Sequence, residues 1–152
     1  MISNEKKLLV LSKIGKALNE ANVIWAVGGS LLLYFKGKAE EFHDIDIMTT
    51  EENVECVRKI LIQYGTLSPK NPDVSFKTKA FLEFTVDEVE IDVMSGFVIV
   101  NDGLDYDCSL CPENITDFTE IYGVKIPLQS LADWRKYYQL MGRTSKVALI
   151  DL

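Results

Sequence analysis

Two short stretches of this chain carry residue types suited to handling a polyphosphate: Gly28-Gly29-Ser30 and, after thirteen intervening residues, Asp44-Ile45-Asp46-Ile47. In the first, the apolar run Val23–Val27 reads as a strand, Gly28-Gly29 breaks it, and Ser30 is placed to cap a helix through Leu31-Leu32-Leu33-Tyr34-Phe35. Glycine lets a backbone approach a ligand with no Cβ in the way. A helix start offers unpaired N–H groups at the positive end of its dipole. Gly28, Gly29 and Ser30 are therefore candidate phosphate contacts, with the Ser30 hydroxyl adding its own. No Gly-Lys-Ser/Thr follows, so this is not a P-loop. Alone, the three residues would equally serve a plain strand-to-helix turn.

The acidic stretch is sharper. His43-Asp44-Ile45-Asp46-Ile47-Met48 alternates polar and apolar residues, as a half-buried strand does. A period of two sends Asp44 and Asp46 to one face, roughly 7 Å apart at Cα. Two carboxylates on one face repel unless a cation sits between them. Hard oxygen donors suit Mg²⁺ or Mn²⁺, which share their shell with water and substrate phosphates. A third acid is available downstream. Phe81–Val86 and Val89–Met94 read as strands around an Asp87-Glu88 turn. Glu90 and Asp92 share one face of the second strand, and either can complete a two-metal set, with Asp92 placed first. The combination suits in-line transfer of a nucleotidyl group from a metal-bound nucleoside triphosphate to a hydroxyl.

These motifs resemble the DNA polymerase β-like nucleotidyltransferase superfamily, above all its short, stand-alone bacterial members, relatives of the lincosamide and aminoglycoside nucleotidyltransferases. The motif portion runs from about Trp25 to Val93. Ile126-Pro127-Leu128-Gln129-Ser130-Leu131 and the stretch from Tyr138 through Gly142-Arg143 to Lys146 are similar to the C-terminal helices of those proteins. The resemblance implies an α+β fold, a small mixed sheet backed by helices, with two metal ions at the open end of the sheet. It implies Ser30 on the triphosphate (ATP among the candidates), Asp44 and Asp46 on both ions, and Asp92 on the ion that activates the acceptor hydroxyl.

Two departures stand out. Small antitoxin-like members follow the Gly-Ser turn with an Arg-rich helix, whereas Leu31-Leu32-Leu33-Tyr34-Phe35 follows here. Larger relatives carry a second domain that shapes the acceptor pocket, for which this chain has no room. The acceptor is then expected on the core itself, on a homodimer partner or on another protein. A rival reading is a nucleotide-binding or regulatory module that kept the fold and lost the reaction; the complete set Ser30, Asp44, Asp46 and Asp92 argues against it. A third is an unrelated α+β protein whose acidic strand binds Ca²⁺ or nothing.

Basic residues near the end of the chain are further candidates. Arg143 and Lys146 could neutralise the triphosphate, with Lys136 a weaker third; otherwise they complement a helix dipole. His43 is placed to orient Asp44 or touch a phosphate, or is simply a neighbour. Trp25 and Trp134 read as core, with stacking on a base as the alternative.

The whole sequence fits these parts. Its 152 residues are enough for one domain with a real core, spanning 1–152. With 47% hydrophobic and 26% charged residues it is neither disordered nor fibrous. No apolar run reaches membrane-span length and no signal-peptide architecture opens the chain, so a cytoplasmic protein is expected. A net charge of −7 disfavours binding to long nucleic acid. Three cysteines fit a reducing compartment, and Cys108-Ser109-Leu110-Cys111 lacks the further ligands that zinc needs.

The elements that must position these residues follow from periodicity and caps. Asn4–Ala21 reads as a helix with Leu8, Leu11, Ile14, Ala17 and Leu18 on one face. Thr49-Thr50-Glu51-Glu52 offers a capping box for a helix to Tyr64, stopped by Gly65. Leu67–Asp73, with two prolines, reads as a loop, and Asp102–Asn114 as an acidic, irregular flap. Thr119–Tyr122 and Val124–Ile126 should pair across Gly123, Ser130 should cap a helix to Met141, and Ser145 should start a short last one.

Overall fold

Leu11, Ile14 and Leu18 repeat at helical spacing and are fully buried, and Ser3 Oγ accepts the Lys6 N–H, so Asn4–Glu20 forms helix α1. The computed structural model describes residues 2–69 and 78–152. After α1 come β1 (Trp25–Gly28), α2 (Gly29–Phe35), β2 (Ile45–Thr49), α3 (Val54–Ile62), β3 (Thr66–Leu67), β4 (Ala80–Val86) and β5 (Val89–Ser95). A hairpin, β6 (Val98–Asn101) and β7 (Leu104–Asp107), leads through a 3₁₀ turn at Pro112–Asn114 to β8 (Asp117–Ile121) and β9 (Val124–Leu128). Helices α4 (Leu131–Leu140) and α5 (Thr144–Asp151) close the chain.

The fold is α+β. One seven-stranded sheet has the order β3-β4-β5-β2-β1-β9-β8, and β6-β7 stands apart as a two-stranded ribbon. The sheet is mixed: β2 runs parallel to β5 and β1 parallel to β9, while β1-β2, β4-β5, β3-β4 and β8-β9 are antiparallel. Gly15 of α1 packs against Trp25 and Ile126 on one face, whereas Trp134 of α4 packs against Gly28 on the other. Alternation along β1 puts Trp25 and Gly28 on opposite sides, so helices back the sheet on both. Among the described residues no helix is long and apolar enough to cross a membrane.

Several boundaries differ from the sequence reading for local reasons. Helix α3 starts at Val54, because Thr50–Asn53 forms a separate turn in which Thr50 Oγ1 accepts the Asn53 N–H. The Asn53 side chain is used instead to accept the Ile24 N–H. Gly65 matters less as a helix stop than as a close approach, since a Cβ there would lie 2.1 Å from the Thr85 carbonyl oxygen. Thr66 and Leu67 pair with β4 as a short edge strand, and the rest of the expected loop from residue 70 lies outside the described residues. The expected acidic flap begins as an ordered hairpin: Asp102 and Gly103 take positive φ (51° and 77°), the two-residue turn that joins twisted strands. Asp87-Glu88 turns in the same way, and Tyr122-Gly123 joins β8 to β9.

Candidate functional site

Strand register assembles the acids. β2 and β5 run side by side with Asp46 opposite Asp92, and the β4-β5 hairpin sets Glu83 opposite Asp92. On the far side β1 sets Gly28 opposite Asp46. Residues paired this way point to one face, so Glu83, Asp92, Asp46 and Gly28 form a row across four strands. Two residues along, Thr85, Glu90 and Asp44 follow in a second row; two residues the other way lie Phe81, Met94, Met48 and Ala26. One face of the sheet thus passes from acidic to apolar in steps of roughly 7 Å.

Asp44, Asp46, Asp92 and Glu83 are half-buried and Glu90 is exposed. Burial pushes the Asp46 carboxyl well above the usual range, and the charges of Asp92 and Asp44 add to it; Arg143 and Lys146 pull the other way. Asp92 is pushed up to about 7 by burial, then by Asp44, Glu83 and Glu90. Glu90 is raised by a hydrogen bond shared with Asp44, then by its charge. The Tyr138 hydroxyl is raised by burial and by the Asp46 charge. Here negative charge is crowded beyond what two cations offset.

The glycine turn is built around Asp46. Gly28 is extended and serves as the N-cap of α2; Gly29 takes φ +63°, and a Cβ there would lie 1.9 Å from Asp46 Oδ2. A Cβ at Gly28 would lie 2.4 Å from the Trp134 indole. Both positions therefore need glycine for the protein's own packing. Ser30 is not the cap expected of it: it sits in the first turn of α2, and its Oγ accepts the His43 N–H at 3.4 Å. That contact ties the helix start to the approach of β2. His43 itself is exposed and lines a shallow cavity with Asp44 and Glu90.

Helix α4 supplies the opposite wall. Ser130 caps it by accepting the Asp133 N–H, and Trp134 Nε1 donates to Gln129 Oε1 at 2.7 Å. Trp134 and Tyr138 are each 3% exposed, so Trp134 belongs to the core as expected and Tyr138 joins it, yet both line the cavity over the acids. Arg143 lines it too, carried there by the turn after α4, and Lys146 on α5 is close enough to act on Asp46. Lys136 appears in neither setting. The cavity measures about 220 Å³, with Asp44, Asp46, Asp92 and Arg143 as its charged lining.

Asp44, Asp46, Asp92, Gly29, Arg143 and Lys146, named from sequence, thus meet at one place. Glu83 was missed. The Asp87-Glu88 turn already implied its register, because a two-residue turn pairs Val86 with Val89 and so Glu83 with Asp92. The apolar lining had no motif to reveal it. The cysteines take no part in this cavity: Cys56 and Cys111 are exposed, and Cys108 is buried with its thiol pushed up to about 11 by that burial.

The donor set fits a hard divalent ion. Surplus carboxylate charge on a half-buried face is what such an ion relieves. Among the described residues no three His, Cys, Asp or Glu side chains converge as a finished metal cage. Mg²⁺ does not need one, as it binds through one or two carboxylates plus phosphate and water.

The family model for aminoglycoside-2''-adenylyltransferases matches residues 10–152. Among solved structures, a candidate nucleotidyltransferase from Thermotoga maritima is similar over 99% of this chain and 93% of its own, at 28% identity and TM-score 0.77. The antibiotic-resistance enzyme ANT(2'')-Ia, in complex with adenylyl-2''-tobramycin, shares the fold at 14% identity and TM-score 0.62, covering 95% of this chain and 87% of its own. The lincosamide antibiotic adenylyltransferase LnuA, lincomycin-bound, does so at 15% identity and TM-score 0.59, covering 99% and 97%. No curated protein matches the sequence significantly.

Proposed function

Because the chain belongs to the aminoglycoside-2''-adenylyltransferase family, we propose that it transfers a nucleoside monophosphate from a nucleoside triphosphate to a hydroxyl of a small, cationic acceptor. The observation that carries this reading is the row Glu83-Asp92-Asp46 set beside the Gly29-Ser30 helix start and faced by Arg143 and Lys146. Asp44, Asp46 and Asp92 would hold Mg²⁺ or Mn²⁺, which when bound neutralises phosphate charge and makes the acceptor hydroxyl more acidic.

The chain's own residues do the rest. The start of α2, with the Ser30 hydroxyl, steadies the terminal phosphates, and Arg143 and Lys146 offset the charge that grows on departing pyrophosphate. The acceptor oxygen bonds to the α-phosphorus as the bond to the bridging oxygen breaks; pyrophosphate leaves with that electron pair. Asp92, at the acceptor side of Asp46, takes the hydroxyl proton. Glu83 and Glu90 extend the acidic surface away from Arg143 and draw a cation. The chains of ANT(2'')-Ia and LnuA are spanned at 87% and 97% of their length.

The test is transfer of radiolabel from an α-labelled triphosphate to a panel of amine-bearing alcohols with Mg²⁺ present. Asp46→Asn should lower turnover by at least about a hundredfold, the scale for losing one electrostatic element of an active site. An Asp46→Asn protein with wild-type turnover would remove the assignment. Metal-dependent nucleotide binding without any transfer would favour the silent-module reading instead.

A further inference from the structure

Gln129 follows β9 directly, and its N–H donates to the Val27 carbonyl at 3.1 Å, so it lies beside Gly28 in the parallel β1-β9 register. Alternation puts it on the face of Gly28, Asp46, Asp92 and Glu83, as the next member of that row. The side chain is 0% exposed, and its Oε1 accepts the Trp134 indole N–H at 2.7 Å. An indole N–H only donates, which settles the amide's orientation: the oxygen faces Trp134 and Nε2 faces away. Nε2 is buried with no hydrogen-bond partner among the described residues. A methionine would fill much the same space without burying an unmet donor. What the amide adds is direction.

Direction is what the other contacts of the indole lack. They are face and edge packing, on Gly28 and on the rings of Phe97, Tyr137 and Tyr138, with centroids 6.2, 5.3 and 5.3 Å away. Apolar packing is non-directional and lets a helix roll, whereas a hydrogen bond weakens steeply with angle. Trp134, Tyr138 and Met141 recur at helical spacing and all line the cavity, so a roll of α4 would move that wall as a unit. Beyond them Gly142 takes φ +74°, and the Arg143 N–H returns to the Tyr138 carbonyl at 2.8 Å, which ties Arg143 to the same helix. Resting on the nucleotidyl-transfer reading, we propose that Gln129 is a positioning residue: through Trp134 it sets the rotation of α4 on the sheet, and so holds Arg143 facing Asp46 and the polyphosphate. Gln129 touches no substrate itself.

Titration calorimetry of the intact protein with Mg²⁺ and ATP, on Gln129→Met, Arg143→Ala and the two combined, tests this. Arg143→Ala should weaken binding about tenfold, the scale of one hydrogen bond to a charged group. Gln129→Met should weaken it at least about threefold and add nothing to Arg143→Ala, the non-additivity of two changes on one route. A role in stability alone would multiply the two losses. Trp134→Phe removes the bond from its other end and should match Gln129→Met in affinity. The Gln129→Met/Trp134→Phe double variant leaves neither partner unmet, so it should melt above Trp134→Phe while binding no better. In proton NMR the indole N–H resonance that vanishes in Trp134→Phe should move in Gln129→Met. An unmoved resonance, wild-type affinity in Gln129→Met, or losses that multiply with Arg143→Ala overturns the positioning role and leaves nucleotidyl transfer standing. If Mg²⁺ with ATP does not bind the wild type, both readings fall together.

Discussion

Asp46 and Asp92 are acids whose surroundings oppose their charge. Burial raises both, and neighbouring carboxylates raise them further, with Asp92 at about 7. Unfolded, they would titrate near about 3.9. Between those values the folded chain holds protons that the unfolded chain has lost. Stability contributed by this pair is therefore present at the acid end and is lost as pH rises above about 4, for Asp92 until about 7. This is the reverse of an ion-paired carboxylate such as Asp87, which Lys13 holds below the usual range. The melting temperature of the metal-free protein, measured from about pH 4.5 to about pH 8, should accordingly fall toward neutrality by a few degrees. Asp46→Asn should flatten that decline and stabilise the protein at neutral pH. An unchanged slope in Asp46→Asn would place the pH dependence elsewhere.

At the scale of elements, the site depends on how closely the glycine turn can sit on β2. Gly29→Ala adds a Cβ in the space of Asp46 Oδ2 and forces an L side chain into φ +63°. The backbone term alone costs about 1–2 kcal/mol, and displacement of the carboxylate adds to it. Denaturant unfolding should show a loss of about 2 kcal/mol or more. Asp46→Ala in the same chain should recover part of that loss, because the clash partner is gone; strict additivity of the two changes would contradict the contact. The same turn shows what sequence makes legible. Period-two alternation gave β2, β4 and β5, and the turn residues Asp87-Glu88 fixed the hairpin, because strand faces and two-residue turns are local properties. Ser130 was readable as a cap for the same reason. Ser30 was not, since its hydroxyl answers to His43 across the turn rather than to its own helix. Nor was the demand at Gly28, which comes from Trp134, more than a hundred residues away in sequence. The apolar lining of the cavity comes from side chains on β4, β5 and α4, of which only Trp134 was singled out as core.

At the scale of the whole molecule, the site is a seam between the central sheet and the C-terminal helices. The carboxylates stand on the central sheet, while Arg143 arrives on the connection between α4 and α5 and Lys146 on the first turn of α5. A ligand that engages both sides of that seam should stabilise the whole fold against unfolding rather than a single loop. The net charge of −7 and the crowded acids set a condition on such a ligand. A free triphosphate meets a negative face and is repelled. Mg²⁺ alone meets carboxylates that do not close into a cage, and so binds weakly. Together each cancels what opposes the other. Thermal unfolding should therefore show little shift with either Mg²⁺ or ATP alone. With both, at about a hundredfold over Kd, it should show roughly 2.7 kcal/mol, or about 5–10 °C for a chain of this size. Arg143→Ala should diminish the joint shift, because the polyphosphate then lacks its cation, while the small response to Mg²⁺ alone stays as it was. A full shift with ATP in the presence of a chelator would mean that the triphosphate is held by the basic helices without the acidic row, and the metal-bridged site would have to be withdrawn.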